Sequence, residues 1–385
     1  MSNNSTFISD LDTKKLVKLC GQQIREFLNF LNYPDKASVY SEVKNRKKIF
    51  SQIESSIFDK AKHFQKTPSA FSDRNLIKYG QKVVEAVGRP VRIEIRKVDG
   101  ISGSAQIAVR GVYGIFRKYA LSQIISHKTY DPDKFFIRLS GNASFEINRS
   151  GVDKALPIKY FCQKWPDVLD KIQYAPGSCI DSFKTNTLIA ADGDGTTFDS
   201  PRLNEAPGLD TSVAYTALLR FLELGGVYVI ISGNHLERTV NRIQKFIPKN
   251  VINRLLIAAN GGANLVYFDR KGKVKEIQDY QKNALACIRS EEPEDVLDLI
   301  YIGDDGRLSG NDKEAFEAVG PGRSILVAKD IPDDIIPFLE PNHIGGLVAG
   351  TKSVLEFVNQ WVVLNPCKKI FTKNIIEKII RSELQ

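Results

Sequence analysis

Five short runs of uninterrupted apolar residues govern what this chain can become. They are "TLIAAD" (187–192), "VYVIIS" (227–232), "RLLIAAN" (254–260), "DLIYIGDD" (298–305) and "SILVAK" (324–329). A strand with one wet face alternates apolar and polar residues, whereas a strand covered on both faces is apolar throughout. Between the runs lie segments with helical spacing, among them "TSVAYTALLRFLELGG", "RTVNRIQKFI", "DYQKNALACIRS", "DKEAFEAV" and "TKSVLEFVNQWV". Strands of this kind alternating with helices predict an α/β fold, a Rossmann-like doubly wound parallel sheet with helices on both faces. "NLVYFDRKGKVKEI" adds a hairpin. The C-terminal "KKIFTKNIIEKIIRSELQ" reads as an amphipathic helix docked on this core. "IGGLVA" (344–349) is a further apolar run.

The N-terminal part of the chain, 1–180, reads differently. "KKLVKLCGQQIREFLNFL" and "NRKKIFSQIESSIFDKAKHF" have helical stripes, and "RPVRIEIRKVDGISGSAQIAVRGVYGIF" alternates on both sides of a Gly/Ser turn, predicting a hairpin. Residues 1–180 are therefore expected to form a basic α+β domain, with "YAPGSCIDSFKTN" as a linker to a core over 181–385. Charge divides the same way: 1–180 carries net +13 and 181–385 net −4. A basic module can attract nucleic acid, a phosphorylated ligand or an acidic protein surface, or it is a solvated Lys-rich face. Five scattered cysteines without CxxC spacing argue against a disulfide framework and a zinc site. The polar N-terminal segment and the shortness of every apolar run predict a cytoplasmic protein without a membrane partner.

Chemistry-bearing residues gather at the ends of the apolar runs. Asp192-Gly193-Asp194-Gly195-Thr196 follows the first, Ser232-Gly233-Asn234 ends the second, and Asp304-Asp305 ends the fourth. Charge at the tip of a buried strand is costly unless paired, and strand ends in an open α/β sheet converge on one crevice. Lys282 would bring an ammonium. This inventory suits phosphoryl transfer through a carboxylate nucleophile. In that scheme Asp192 attacks phosphorus, and Asp194 protonates the leaving oxygen and then activates water. Ser232 and Lys282 hold phosphoryl oxygens, with Thr196, Gly233 and Asn234 lining the same site. Mg²⁺ is expected on Asp192, Asp194 and Asp304, with Asp305 or Asp312 completing the set. His235 reads as a surface histidine.

These residues resemble the haloacid dehalogenase superfamily of phosphatases and phosphotransferases, nearest its sugar-phosphate phosphatase branch. The resemblance covers about 187–360. "LIAADGDGTTFD" matches that family's first motif, Ser232 the second, Lys282 and "GDD" the third and fourth by order and spacing, and "ANGGANLVYFDRKGKV" the hairpin stretch of that branch. It implies a Rossmann-like core, Mg²⁺ dependence and an aspartyl-phosphate intermediate. The chain departs from the pattern in carrying Asn234 where many relatives have Arg. The stretches between Asp192 and Ser232, and between Ser232 and Lys282, are too short to hold a large cap. The expectation is a phosphomonoester hydrolase for a small metabolite such as a sugar phosphate or nucleotide monophosphate. A phosphomutase, and a nucleic-acid or acidic-partner binder whose core acts on a polymer's terminal phosphate, are the alternatives.

Overall fold

A computed structural model describes residues 92–97, 104–110, 135–140, 144–149, 151–172, 187–199, 207–278, 280, 297–308, 310–366 and 368–382. It divides into two compact units, 1–150 and 151–385. The boundary therefore falls well before the linker expected at 174–186. The helix between the two positions belongs with the C-terminal unit, because its apolar face packs there.

In the N-terminal unit, β1 (Arg92–Lys97), β2 (Ser104–Arg110), β3 (Phe135–Ser140) and β4 (Ser144–Arg149) form an antiparallel sheet of order β1-β2-β4-β3. β1 and β2 pair antiparallel, Ile95 opposite Ile107, as the alternating pattern predicts. The two helices expected before residue 70, Gly100–Gly103 and the 174–186 linker lie outside the described residues.

The C-terminal unit opens with helix α1 (Ala155–Lys171), then β5 (Thr187–Asp192), α2 (Tyr215–Glu223), β6 (Val227–Ile231) and the short α3 (Leu236–Asn241). β7 (Leu255–Ala259), β8 (Asn264–Phe268), β9 (Val274–Glu276), β10 (Asp298–Gly303), α4 (Lys313–Val319) and β11 (Ser324–Leu326) follow. α5 (Val348–Leu364) and α6 (Lys373–Ser382) complete it. The "IGGLVA" run is not a strand; it turns into the start of α5.

Seven strands make one sheet of order β11-β10-β5-β6-β7-β8-β9, parallel from β11 to β7 and antiparallel at β8 and β9. This mostly parallel sheet flanked by helices is compatible with a Rossmann-like fold. β5, β6, β7 and β10 are buried along their whole lengths, as their apolar runs require.

Side chains of one parity, including Ile189, Tyr228, Ile230, Ile257, Ile300 and Ile302, form a core with Leu218, Phe221 and Leu222 of α2, Val354, Leu355 and Val358 of α5, and Ile375, Ile376 and Ile379 of α6. Each fully buried Leu, Ile or Val contributes about 1.5–3 kcal/mol. α6 thus docks on its own core as its isoleucine spacing predicts. Its approach is pinned by Ile370 N and Phe371 N, which donate to the Asp298 carboxylate at 2.7 and 2.9 Å. On the opposite face α1 packs against α4, and Phe316 of α4 meets Tyr301 of β10 edge-on at 5.1 Å.

Register sets where the chemistry converges. Asp192 is level with Ile231, and Ala191 with Ile302. The residues just beyond the strands, Ser232 and Asp304, therefore lie one step past Asp192, both level with Gly193. Chain order also reverses here: β6 and β7 follow β5 on one side, β10 and β11 on the other. That is the topological switch point where open α/β sheets form a crevice. Among the described residues, no helix is long and apolar enough to cross a membrane.

Candidate functional site

The turn after β5 is built by its glycines and threonines. Thr197 N donates to Asp192 O and Gly193 O, and Phe198 N to Gly193 O at 2.8 Å. Thr197 Oγ1 donates to Asp192 O at 2.7 Å and lies 3.0 Å from Tyr228 Oη. Thr197 thus caps the turn, while the buried Thr196 Oγ1 has no hydrogen-bond partner among the described residues. Gly195 has φ +89°, and a Cβ there would run into the Asp304 carboxylate. Gly193 sits against Ser232, whose Oγ would be 3.1 Å from an added Cβ.

Asp192, Asp304 and Asp312 each offer a carboxylate oxygen, all within 4.8 Å of one another. Asp312 comes from the turn before α4, where Tyr301 Oη donates to its Oδ1 at 2.8 Å and Asp305 N to its Oδ2 at 3.1 Å. Gly303 permits this approach, since a Cβ there would be 2.7 Å from Asp312 Oδ2.

The positive partner of these carboxylates is Lys154. Its side chain is 1% exposed. Nζ donates to Asp192 Oδ1, to Asp312 Oδ1 at 2.6 Å and to Asn311 Oδ1 at 3.3 Å. α1 delivers it. Asp153 accepts from Ala155 N at 2.8 Å through its carboxylate, and Leu156 N bonds its carbonyl at 3.1 Å, so the first turn is fixed. The Asn260-Gly261-Gly262 turn holds that end in place. Gly262 has φ +90°, and a Cβ there would collide with the Asp153 carbonyl. The same turn ties the second motif down, with Asn260 N donating to Asn234 O and Gly261 N to Ser232 O, both at 2.9 Å.

The electrostatics follow from burial. Burial alone would lower the Lys154 pKa, but Asp192 and Asp312 outweigh it and hold the ammonium above its ordinary value. Burial pushes Asp192 well up, Lys154 pulls it back, and Asp312 and Asp304 push it up again. Burial and then Asp312 raise Asp304 to about 7. Among the described residues one ammonium faces three carboxylates, so the cluster favours a second positive charge. An all-oxygen set of this kind fits a hard divalent cation.

Asp194 and Asp305 do not lend their carboxylates to this cluster, although Asp194 is expected in it and Asp305 is one of two alternatives for it. Asn234 Nδ2 donates to Asp194 Oδ2 at 2.6 Å, and Arg242 Nη1 to Asp194 Oδ1 at 2.5 Å. Asp305 turns outward to Arg307 Nε and Nη2 at 2.7 and 2.9 Å and accepts Asn311 N at 3.1 Å. Burial would raise Asp305, but the Arg307 and Asn311 hydrogen bonds outweigh it and hold it below the usual carboxylate range. Asp312 is thus the third carboxylate.

Ser232 stands 3% exposed beside the turn, its Oγ accepting Asn234 N at 3.1 Å. A Cβ added at Gly233 would meet open space. Lys282 lies outside the described residues. Lys154, Arg242 and Tyr301 are site residues that motif spacing does not reveal. The local signal for Lys154 is a cation at the first turn of a helix, where the macrodipole disfavours it. For Arg242 it is an Arg in the amphipathic segment that follows Asn234, on its polar side.

Fold and site together define a mostly parallel α/β protein with a buried aspartate cluster that can hold a metal ion. No protein-family model matches the chain, and no curated protein matches it.

Proposed function

We propose that the C-terminal unit is a Mg²⁺-dependent phosphomonoester hydrolase that works through an aspartyl-phosphate on a small phosphorylated metabolite. The observation that carries this reading is the meeting of Asp192, Lys154, Asp304 and Asp312 at one strand end, with the Ser232 hydroxyl beside them.

Asp192 is the nucleophile. Its carboxylate forms the new bond to phosphorus as the ester P–O bond breaks. Lys154 favours the ionised form of Asp192 against the effect of burial and offsets charge on the phosphoryl oxygens. The Ser232 Oγ accepts Asn234 N, which leaves its own hydrogen for a phosphoryl oxygen. Asp194 gives its proton to the leaving oxygen. It then takes one from the water that releases inorganic phosphate and regenerates Asp192. Arg242 and Asn234 orient Asp194 for this work. Asp192, Asp304 and Asp312 would hold Mg²⁺, which neutralises charge on the phosphate when bound.

The test is phosphate release from sugar phosphates, nucleotides and p-nitrophenyl phosphate, with Mg²⁺ and with EDTA. Wild type should release phosphate with Mg²⁺ only. Asp192→Asn should lose the activity by at least about a thousandfold, as nucleophile removal does. Full activity in Asp192→Asn, or in EDTA, would refute the mechanism.

A further inference from the structure

Beside Asp194 opens a second cleft, of about 600 Å³, whose lining includes His235, Arg238, Arg242, Lys245 and Phe246, with Glu237 its one carboxylate. A volume of this size takes a small-molecule ligand. Arg242 belongs to both places. It is 5% exposed, stacks 4.0 Å over the Phe198 ring, and gives Nη1 to Asp194 and Nε to Pro207 O at 2.8 Å. Among the described residues its Nη2 has only a 3.5 Å contact to Asp199 O, at the limit of a hydrogen bond. Lys245 lies 4.7 Å over the Phe246 ring. Among the described residues, neither Arg238 nor Lys245 forms an ion pair. Cations outnumber the lining carboxylate, and one of them is a buried guanidinium with a nearly unused donor. That arrangement recognises an anion.

We propose that this cleft is the subsite for a second anionic group, so that the preferred substrate is a small phosphomonoester with another phosphate or a carboxylate at its far end. Arg242 links the two places, because it holds Asp194 on one side and lines the cleft on the other. The inference rests on the hydrolase reading for its first phosphate, while the cleft stands on its own residues.

The experiment compares propyl phosphate with propane-1,3-diol bisphosphate and 3-phosphonooxypropanoate, the last two separating a second phosphate from a carboxylate. Wild type with Mg²⁺ should favour a two-anion compound by about tenfold or more in kcat/KM. Arg238→Ala/Lys245→Ala should cut that preference about tenfold, the upper end for losing two exposed charge contacts. Binding of the same probes to full-length Asp192→Asn is followed by calorimetry. Equal turnover of all three, with a preference ratio unmoved in the double variant, overturns the subsite and leaves the hydrolase intact. No turnover of any probe, with two-anion binding that the double variant loses, keeps the subsite and removes the hydrolase. Neither turnover nor binding overturns both.

Discussion

Replacing Lys154 by Met keeps the length and most of the apolar stem of the side chain and deletes its charge. The ammonium is 1% exposed, and the two carboxylates it bonds are 7% and 0% exposed. Breaking such a buried pair by removing one partner costs about 3–5 kcal/mol, because the remaining charges stay out of water without compensation. At about 2–4 °C per kcal/mol for a unit of this size, the melting temperature should fall roughly 6–20 °C in EDTA at pH 8. The loss depends on pH with a defined sign. Asp192 and Asp304 already have raised pKa values, and without Lys154 they rise further. A carboxyl whose folded pKa is raised contributes stability below its unfolded value and loses it as pH climbs through the folded one. The deficit should therefore shrink at pH 5, where the orphaned carboxylates take up protons. Mg²⁺ should recover part of it at pH 8, and adding Asp312→Asn to Lys154→Met should recover more than Mg²⁺ does. Thermal melts by circular dichroism read all four conditions. A Lys154→Met protein within about 1 kcal/mol of wild type in EDTA at pH 8 would refute the account, since the carboxylates would not need their ammonium.

Two further outcomes follow from the same structure. Asp304 is pushed up to about 7, so its proton competes with a metal below that pH. The Mg²⁺-induced rise in melting temperature should grow between pH 5 and pH 8 and vanish in Asp304→Asn; a rise that is flat with pH would remove Asp304 from the metal set. Asp298 accepts the amides of Ile370 and Phe371, so Asp298→Ala should cost about 1.5–3 kcal/mol in urea unfolding, as lost bonds to a buried charge do. It should also speed proteolysis near α6; unchanged cleavage would mean that the isoleucines alone hold the helix.

The sheet was legible because continuous apolar runs have one good home, between two layers of helices. β5, β6, β7, β10 and β11 all lie where such runs stand, and the Asp192, Ser232 and Asp304 ends align because parallel strands in register end together. Lys154 was not legible. It precedes the first motif by 38 residues, in "GVDKALPIKYF", where its one local signal is a cation at a helix start, a place that solvated lysines also occupy. The same helix explains the displaced boundary. A Gly/Pro-containing stretch marks a loop, and only packing decides which unit the helix before that loop joins. Asp305 and Asp312 were equivalent by composition. Arg307, close by in the same loop, claims Asp305, and Tyr301 in the neighbouring strand claims Asp312; that difference exists only once the loop is folded.

Lys154 and Asp312 meet across 158 residues of chain. At about 5–20 residues per second of synthesis, Asp312 follows Lys154 by roughly 8–32 s. During that interval the emerging chain has one end of its charge cluster and not the other. The lysine can leave water only after β10 has inserted beside β5 and carried the following turn with it. Assembly of the charge cluster is therefore a late, long-range event in the life of each molecule. A chain interrupted before β10 presents Asp192 without the Asp304 and Asp312 carboxylates that complete the aspartate cluster.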